Sequence, residues 1–304
     1  MFTEKKVFCM PDLEAYRSAG LIPGLAPRNH DASRDHVRAF NEAGAITGEQ
    51  DSWKPDHWTQ HFVEGLTHKN LSSLGIQLEG SIVCEVGVGT AYVPCRLYEL
   101  GFKFQEFIGI DISEASVRDA KVTLSEKGIN AQVFHSDGLG NIPESHRYKM
   151  NNVIACVPQV CLPNDVDISQ GSNFGNYYIP DGSSLWDDQG LGLISRVIKQ
   201  TPDHASVTLN LAGRPGVETL MNVFSDAGRT PSIIHHKIIS QAQDTRLDFF
   251  VEQEKKGLMS CVFYADPYGK NKLTAVRAEQ VQAEGAVIYH DLLVIAAPSL
   301  KNGC

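Results

Sequence analysis

The sequence lacks the features that mark membrane proteins and nucleic-acid-binding proteins. It has no apolar run near the roughly twenty residues that a membrane-spanning helix needs. It is also short of positive charge, since 27 Lys and Arg stand against 36 Asp and Glu and give a net charge of −9. A phosphate backbone would favour a basic face instead. We therefore expect neither a membrane nor a nucleic acid as partner.

Cysteine usage points to the cellular compartment. The seven cysteines form no C-x-x-C pair, and an odd number of them indicates reduced thiols rather than a disulfide framework. The first residues lack the apolar core of a signal peptide. With 304 residues, 42% of them hydrophobic, the chain is long enough to bury a full core. These features predict a cytoplasmic globular protein.

The most informative segment is residues 81–93, an apolar run that ends in an acid and a glycine-rich turn. Residues 82–86 predict a buried parallel strand, and residues 91–100 predict the helix that leaves the turn. Gly87 and Gly89 can adopt backbone angles closed to other residues and let a ligand approach the main chain. Strand, glycine turn and helix in this order are typical of nucleotide binding.

The details of the turn separate the nucleotide classes. A dinucleotide motif needs a small residue where Tyr92 stands, and the lysine of a phosphate-binding P-loop is missing. Glu85, two residues before the first glycine, suits a cationic ligand such as a sulfonium that carries an amino group. The run Glu85-Val-Gly-Val-Gly-Thr90 resembles the first motif of the S-adenosylmethionine-dependent methyltransferases. That resemblance implies S-adenosylmethionine as the methyl donor.

Two further acids follow apolar runs at the expected intervals. Asp111 ends the run 107–111, where this fold usually holds ribose hydroxyls with a carboxylate. Asp137 follows the run 131–135 and, by the resemblance, contacts the adenine amino group. The resemblance implies an α/β fold, a Rossmann-like class I methyltransferase sheet with helices on both faces. The implied cofactor-binding residues are Phe62, Glu85, Gly87, Gly89, Asp111, Ile112, Asp137, Gly138, Cys156 and Val157.

The chain divides into two zones without a clear linker. Residues 1–70 are interpreted as an N-terminal helical cover with a helix over the active site, and residues 71–304 as the methyltransferase domain. Trp58, Phe62 and Leu66 share one face of that helix. The C-terminal runs 258–264, 274–278 and 286–297 predict extra strands. These strands either extend the sheet or support a contact between subunits, so a homo-oligomer remains open.

A pair of histidines on the same helix raises the question of a metal. His57 and His61 stand four residues apart, but no acid or cysteine accompanies them in a known ligand pattern. We expect no metal.

An insertion at 161–189, rich in Pro, Asn, Asp, Gly and Ser, predicts a lid-like loop after the fourth strand. Its aromatic rings, Tyr177, Tyr178 and Trp186, either face a sulfonium as catalytic groups or only pack the loop.

Several segments narrow the resemblance to the methionine S-methyltransferases. In order they are residues 153–159, 176–177, 188–194, 213–216, 244–245 and 251–252. The likeness covers about residues 53–300 and is closest to the methyltransferase part of the large plant enzymes and to small bacterial enzymes that begin dimethylsulfoniopropionate synthesis. Amide methyltransferases carry Asn-Pro-Pro-Tyr where this chain has Cys156-Val-Pro-Gln159. A nucleophile with no proton to lose, such as the thioether of methionine, fits better.

The resemblance implies methyl transfer to the sulfur of L-methionine by in-line displacement without a general base. The implied substrate-binding residues are Asn176, Asp188, Arg214 and Pro158. Arg214 is our candidate for the methionine carboxylate, although it could instead clamp its turn, and Asp188 is our candidate for the ammonium. Two other functions stay open: methyl transfer to nitrogen or oxygen of another metabolite or protein, and cofactor binding without turnover.

Overall fold

The structure, a computed structural model, describes residues 57–161, 178–180, 182, 184–242, 245 and 247–300. The predicted N-terminal cover before residue 57, most of the insertion, Asn176 and Tyr177 lie outside the described residues. The strands in this part of the chain are β1 (Ile82–Val86), β2 (Glu106–Asp111), β3 (Ala131–His135), β4 (Asn152–Ala155), β5 (Ser206–Ala212), β6 (Ser232–Ser240), β7 (Phe263–Tyr264), β8 (Lys272–Leu273) and β9 (Tyr289–Ala297). The helices are α1 (His57–Leu66), α2 (Lys69–Ser73), α3 (Tyr92–Glu99), α4 (Glu114–Glu126), α5 (Glu144–Arg147), α6 (Gly192–Gln200), α7 (Val217–Asp226), α8 (Asp248–Lys255) and α9 (Ala275–Ala283), with a 3-10 turn at Asp187–Gln189.

The strands form one sheet in the order β3-β2-β1-β4-β5-β9-β7-β8, with β6 paired to the other edge of β9. β1 to β5 run parallel, whereas β9 lies antiparallel to β5. The chain moves outward through β2 and β3 and then returns to place β4 beside β1. Ligands bind at such a reversal of strand order, outside the carboxyl ends of the strands. The predicted Rossmann-like α/β fold is therefore confirmed.

Helices cover both faces of the sheet, and this explains the apolar strands. All five residues of β1 are buried, as expected of a parallel strand that is covered on both sides. Cys84 and Val86 belong to a core that includes α6 and α7, whereas Val83 belongs to a second core that includes α1, α3 and α4.

Helix boundaries follow local capping, and in one place capping overturns a sequence prediction. Ser113 caps α4 by accepting a hydrogen bond from the backbone N–H of Ser116. The prediction of a strand at 274–278 was wrong. The side chain of Thr274 accepts from the N–H of Arg277 and starts helix α9 there, so a capping interaction outweighed the β-propensity of Thr and Val.

Helix α1 packs directly onto the antiparallel strand β9. A Cβ atom added at Gly65 would lie 2.5 to 2.9 Å from three side-chain atoms of Val294. The glycine therefore allows the helix backbone to approach the sheet more closely than any side chain would permit. No helix among the described residues is long and apolar enough to cross a membrane.

Gly65→Ala should weaken this contact. The added methyl group overpacks against Val294 at a cost of about 1 to 3 kcal/mol, against a gain of about 1 kcal/mol in helix propensity. Urea unfolding should show a lower free energy of unfolding in the wild-type background and no loss in a Val294→Ala background. An equal loss in both backgrounds would show that the close contact is not the cause.

Candidate active site

The glycine turn after β1 is tied to the end of β2. The backbone N–H groups of Gly87 and Val88 both donate to the carbonyl of Ile110, at 2.8 and 3.0 Å. Gly87 and Gly89 have φ angles of 76° and 53°, in the left-handed region that glycine tolerates best. A Cβ at Gly87 would lie 2.9 Å from the Val157 side chain. Glycine is thus required at position 87 both for its backbone angle and for the close approach of Val157, and the role of the turn in binding the cofactor stays a prediction.

Asp111 lies against this turn. One carboxylate oxygen accepts from the N–H of Gly89 and the other from the N–H of Ser113, each at 2.9 Å. Burial raises the pKa of Asp111, although these backbone hydrogen bonds act in the opposite direction. The two bonds fix the carboxylate in place and leave each oxygen a further lone pair for a ligand hydroxyl. The neighbouring side chain of Ile112 is 54% exposed, which offers an apolar surface beside the carboxylate.

Glu85 is a buried acid with an unused oxygen. It is only 2% exposed, and its Oε2 atom has no hydrogen-bond partner among the described residues. Burial, and secondly the negative charge of Asp111, raise the pKa of Glu85 well above its ordinary value. A buried carboxyl group of this kind would be stabilised by a cationic group beside it. The turn, Asp111 and Glu85 together fit an adenosyl ligand that carries an amino group.

Three other residues that the sequence predicts to bind the cofactor make their contacts elsewhere than at this turn. Asp137 follows β3 and makes a bidentate ion pair with Arg196 on α6, both N···O distances being 3.1 Å. Gly138 has a positive φ of 67° and packs against Gln200. Phe62 is fully buried in the core between α1 and the sheet. Their assignment to the cofactor stays a prediction.

A second group of residues lies where β5 and β9 meet, and we call it the acceptor cluster: Trp58, Asn210, Arg214, Gln241 and His290. Trp58, from α1, is central. Its carbonyl accepts from the Asn210 side chain at 3.0 Å, its ring lies 5.5 Å from that of His290, and the Arg214 guanidinium lies 5.5 Å from its centroid. Gln241 accepts from Arg214 at 3.3 Å.

Arg214 is buried, and no acid among the described residues pairs with it. The side chain is 6% exposed and lies between the rings of Trp58 and Phe250. Its Nε atom has no hydrogen-bond partner, and no ion pair to Arg214 exists within the described part of the chain. Burial lowers the pKa of Arg214 to about 10, so the group remains cationic at neutral pH. A buried cation without a counter-ion is costly unless a ligand supplies the anion.

Two buried acceptors in the same cluster also lack donors. The Oδ1 atom of Asn210 and the Nε2 atom of His290 have no partners among the described residues. Burial, and then the charge of Arg214, lower the pKa of His290 to about 3, so the ring is neutral. Its Nδ1–H donates to the Asp291 carbonyl at 2.7 Å, which leaves Nε2 as an acceptor. One cation and two acceptors complement the carboxylate and the ammonium of an amino acid.

The residues after β4 join the turn to the acceptor cluster. The Val157 side chain abuts Gly87, while the Cys156 sulfur lies 3.3 Å from the Asn210 amide nitrogen. Pro158 is half-buried beside them, and Gln159 is bonded to both backbone groups of Ala212. The cofactor turn and the acceptor cluster are therefore adjacent across β4 and β5, as two reacting ligands would require.

In the described part of the insertion, Tyr178 and Trp186 are fixed by hydrogen bonds to other parts of the protein. The Tyr178 hydroxyl accepts from the N–H of Gly192 at 2.9 Å, and the Trp186 indole donates to Asp226 on α7 at 3.1 Å. Asp188 is exposed, whereas its neighbour Asp187 faces Tyr178. The catalytic assignments of Tyr178 and Trp186, and the role of Asp188, stay predictions.

Comparisons with known proteins agree with the predicted resemblance. The chain is 23% identical to the methionine S-methyltransferase of Hordeum vulgare over 300 residues, covering 88% of this chain and 27% of that protein. It is 22% identical to the enzyme of the same name from Wollastonia biflora over 252 residues, covering 73% of this chain and 22% of that protein. The chain thus spans about a quarter of these relatives. No protein-family model matches it.

Among solved structures, a methyltransferase from Geobacter sulfurreducens, determined with S-adenosyl-L-homocysteine, is 11% identical with a TM-score of 0.39, covering 86% of this chain and 97% of that chain. The resemblance to methionine S-methyltransferases is confirmed by the sequence relatives.

Asp111→Ala should weaken the binding of S-adenosylmethionine, the donor that the sequence predicts, by roughly tenfold or more, because hydrogen bonds to a carboxylate contribute about 1.5 to 3 kcal/mol. Titration calorimetry measures this. Ser113→Ala is the control, since it removes the cap of α4 at a cost of about 1 kcal/mol in stability and leaves the carboxylate in place. Unchanged affinity in Asp111→Ala would remove the residue from the cofactor site.

Proposed function

We propose that this chain transfers a methyl group from S-adenosylmethionine to the sulfur of L-methionine and forms S-methyl-L-methionine. Methyl transfer from this donor agrees with the glycine turn, with Asp111 and with the named relatives. The acceptor is the finer part of the proposal. The observation that carries it is Arg214. Among the described residues this buried guanidinium has no acid partner, and it is grouped with acceptors of Asn210 and His290 that have no donor there.

On the donor side, the cofactor supplies an electrophilic methyl group on a sulfonium. Gly87 and Gly89 leave room beside the backbone, and Asp111 is placed to accept from sugar hydroxyls. Glu85 would ionise beside the amino group, because a neighbouring cation favours the charged form of a buried carboxyl. These residues hold and orient the donor, and none of them needs to exchange a proton with the acceptor.

On the acceptor side, Arg214 would bind the methionine carboxylate through charge-assisted hydrogen bonds. Asn210 Oδ1 and His290 Nε2 would accept from its ammonium. Asn210 is thus a buried candidate for the ammonium beside the exposed Asp188, which the sequence predicts. The neutral state of His290 suits this role, because a protonated ring would repel the substrate cation.

The chain accelerates the reaction by placing the acceptor sulfur in line with the donor. A thioether has no proton to lose, so no general base is required. Well-oriented reactants can gain on the order of 7 to 11 kcal/mol from proximity alone. Cys156 and Val157 lie between the glycine turn and the acceptor cluster. They would set the distance between the donor methyl group and the acceptor sulfur. Aromatic rings of the insertion, Tyr177, Tyr178 and Trp186, would cover the migrating positive charge.

The product would be S-methyl-L-methionine. The small bacterial enzymes that this chain resembles form it as the first step of dimethylsulfoniopropionate synthesis. We propose that place in metabolism, in the cytoplasm, for this chain. Mass detection of S-methylmethionine from purified protein, S-adenosylmethionine and methionine tests it. Methylation of other acceptors only would favour an N- or O-methyltransferase, and cofactor binding without product would favour a binding protein.

Glu85→Gln should show how much the charge of the carboxylate contributes to cofactor binding, because glutamine keeps the shape of the side chain and removes its charge. Burial raises the pKa of Glu85 in the free protein, and a bound cation should lower it. At pH values between these two pKa values, binding should therefore release protons and the affinity should rise with pH. Calorimetry in buffers of different ionisation enthalpy should show this release. The variant should lose the release and bind roughly tenfold or more weakly, since a charged hydrogen bond contributes about 1.5 to 3 kcal/mol. A wild type without proton release would contradict the role.

Arg214→Gln should raise the KM for methionine by roughly tenfold or more and change cofactor affinity by less than about twofold, because a charge-assisted bond contributes about 1.5 to 3 kcal/mol. Steady-state kinetics with each substrate varied measure the two effects. Arg229→Gln is the matched control. Arg229 is equally buried but donates to backbone carbonyls of Thr201, Pro202 and Ala205, so its loss should lower stability without a selective effect on methionine. Equal effects of Arg214→Gln on both substrates would indicate a structural clamp.

A further inference from the structure

A cluster of potential metal-ligating side chains lies where α1 packs against β6. His61 and Glu64 stand three residues apart on α1, on one face of the helix, and His235 approaches them from β6. One ligand atom from each of these side chains lies within 4.8 Å of the others. His61 thus lies beside a residue more than 170 positions away in the sequence.

His61 is the most informative member of the cluster. Its side chain is 1% exposed. A backbone group of Leu292 lies near the ring, but neither ring nitrogen makes a hydrogen bond of good geometry within the described part of the chain. Burial, and then the charges of nearby His235 and Lys237, lower the pKa of His61 well below its ordinary value. A buried, neutral imidazole with unused nitrogens costs stability unless something binds it. It is also the protonation state that binds a metal.

The other two residues complete a common ligand set. The Nε2 atom of His235 lies 3.2 Å from Glu64 Oε2, and the His61 and His235 rings stack with centroids 4.6 Å apart. Two histidines and a glutamate are a frequent set for zinc, with water in the fourth position. Glu64 is partly exposed, so water can reach that position. Ligand atoms of a tetrahedral zinc site lie about 3.3 Å apart, so the stacked rings of His61 and His235 must turn towards a common point when the ion binds.

Lys237 would compete with a metal ion for the carboxylate of Glu64. Its ammonium pairs with Glu64 and places a positive charge beside the cluster. A bound dication must displace or tolerate that charge, which lowers its affinity.

We propose that His61, Glu64 and His235 form a site for a divalent transition-metal ion, zinc in the first instance, that pins helix α1 to β6. The site is structural: it joins the helix that carries Trp58 to the edge of the sheet and takes no part in methyl transfer. A bound metal ion would therefore affect the acceptor cluster indirectly, by fixing the position of α1 and so of Trp58.

The test uses the full chain, stripped with a chelator, and zinc chloride alone as the probe. Calorimetry should show one equivalent of zinc, and thermal unfolding should show a raised Tm with zinc and no comparable rise with magnesium. His61→Gln and His235→Gln should each weaken zinc binding at least about tenfold. Lys237→Gln should strengthen it by about tenfold, because the competing charge is gone.

His146→Gln is the matched control, since His146 lies on the surface of α5 and should leave zinc binding unchanged. Circular dichroism shows which variants fold, and Lys237→Gln keeps the test decisive if the histidine variants do not. The absence of stoichiometric binding, or binding that survives both histidine substitutions, overturns the proposal. A Lys237→Gln variant with unchanged or weaker affinity overturns it as well.

Discussion

The buried guanidinium of Arg214 is the constraint on which this account of the molecule depends. Its positive charge is enclosed by Trp58 and Phe250 and has no acid to balance it among the described residues. Removing a cation from water without a counter-ion costs several kcal/mol, and the protein bears that cost in the ligand-free state. The same environment makes the site selective, because an anion that enters it gains an interaction that water does not weaken.

The fold explains how this charge comes to lie beside a cofactor turn. β1, β4 and β5 are parallel neighbours, so the segments after them meet at one edge of the sheet. Antiparallel β9 adds His290 at the same edge, and α1 brings Trp58 over it. Gly65 lets α1 approach β9 closely enough for this arrangement. Packing far from the reacting atoms therefore sets the geometry of the acceptor cluster.

The sequence predicts which residues of the proposed donor side lie together, but only some of those on the proposed acceptor side. Glu85, the glycine turn and Asp111 lie at consecutive strand ends, so local patterns are enough to place them. Asn210 and His290 carry no motif, because their proximity arises from the pairing of β5 with β9, about eighty residues apart in the sequence. A polar residue inside the buried strand β5 was the one local signal for Asn210.

Two other misses have physical causes. Strand β6 was not predicted, because His235, His236 and Lys237 interrupt its apolar pattern while its partner β9 supplies the pairing. The metal-ligating cluster was missed because helical spacing brings His61 next to Glu64, and only the sheet brings His235 to them.

In the proposed function, the methyl acceptor is an amino acid whose carboxylate is bound by Arg214. A crystal structure of the chain with S-adenosyl-L-homocysteine and methionine tests it most directly. We expect the methionine carboxylate within hydrogen-bond distance of the Arg214 guanidinium, its ammonium near Asn210 and His290, and its sulfur directed towards the glycine turn. A methionine bound elsewhere, with Arg214 still buried and without an anionic partner, would contradict the account.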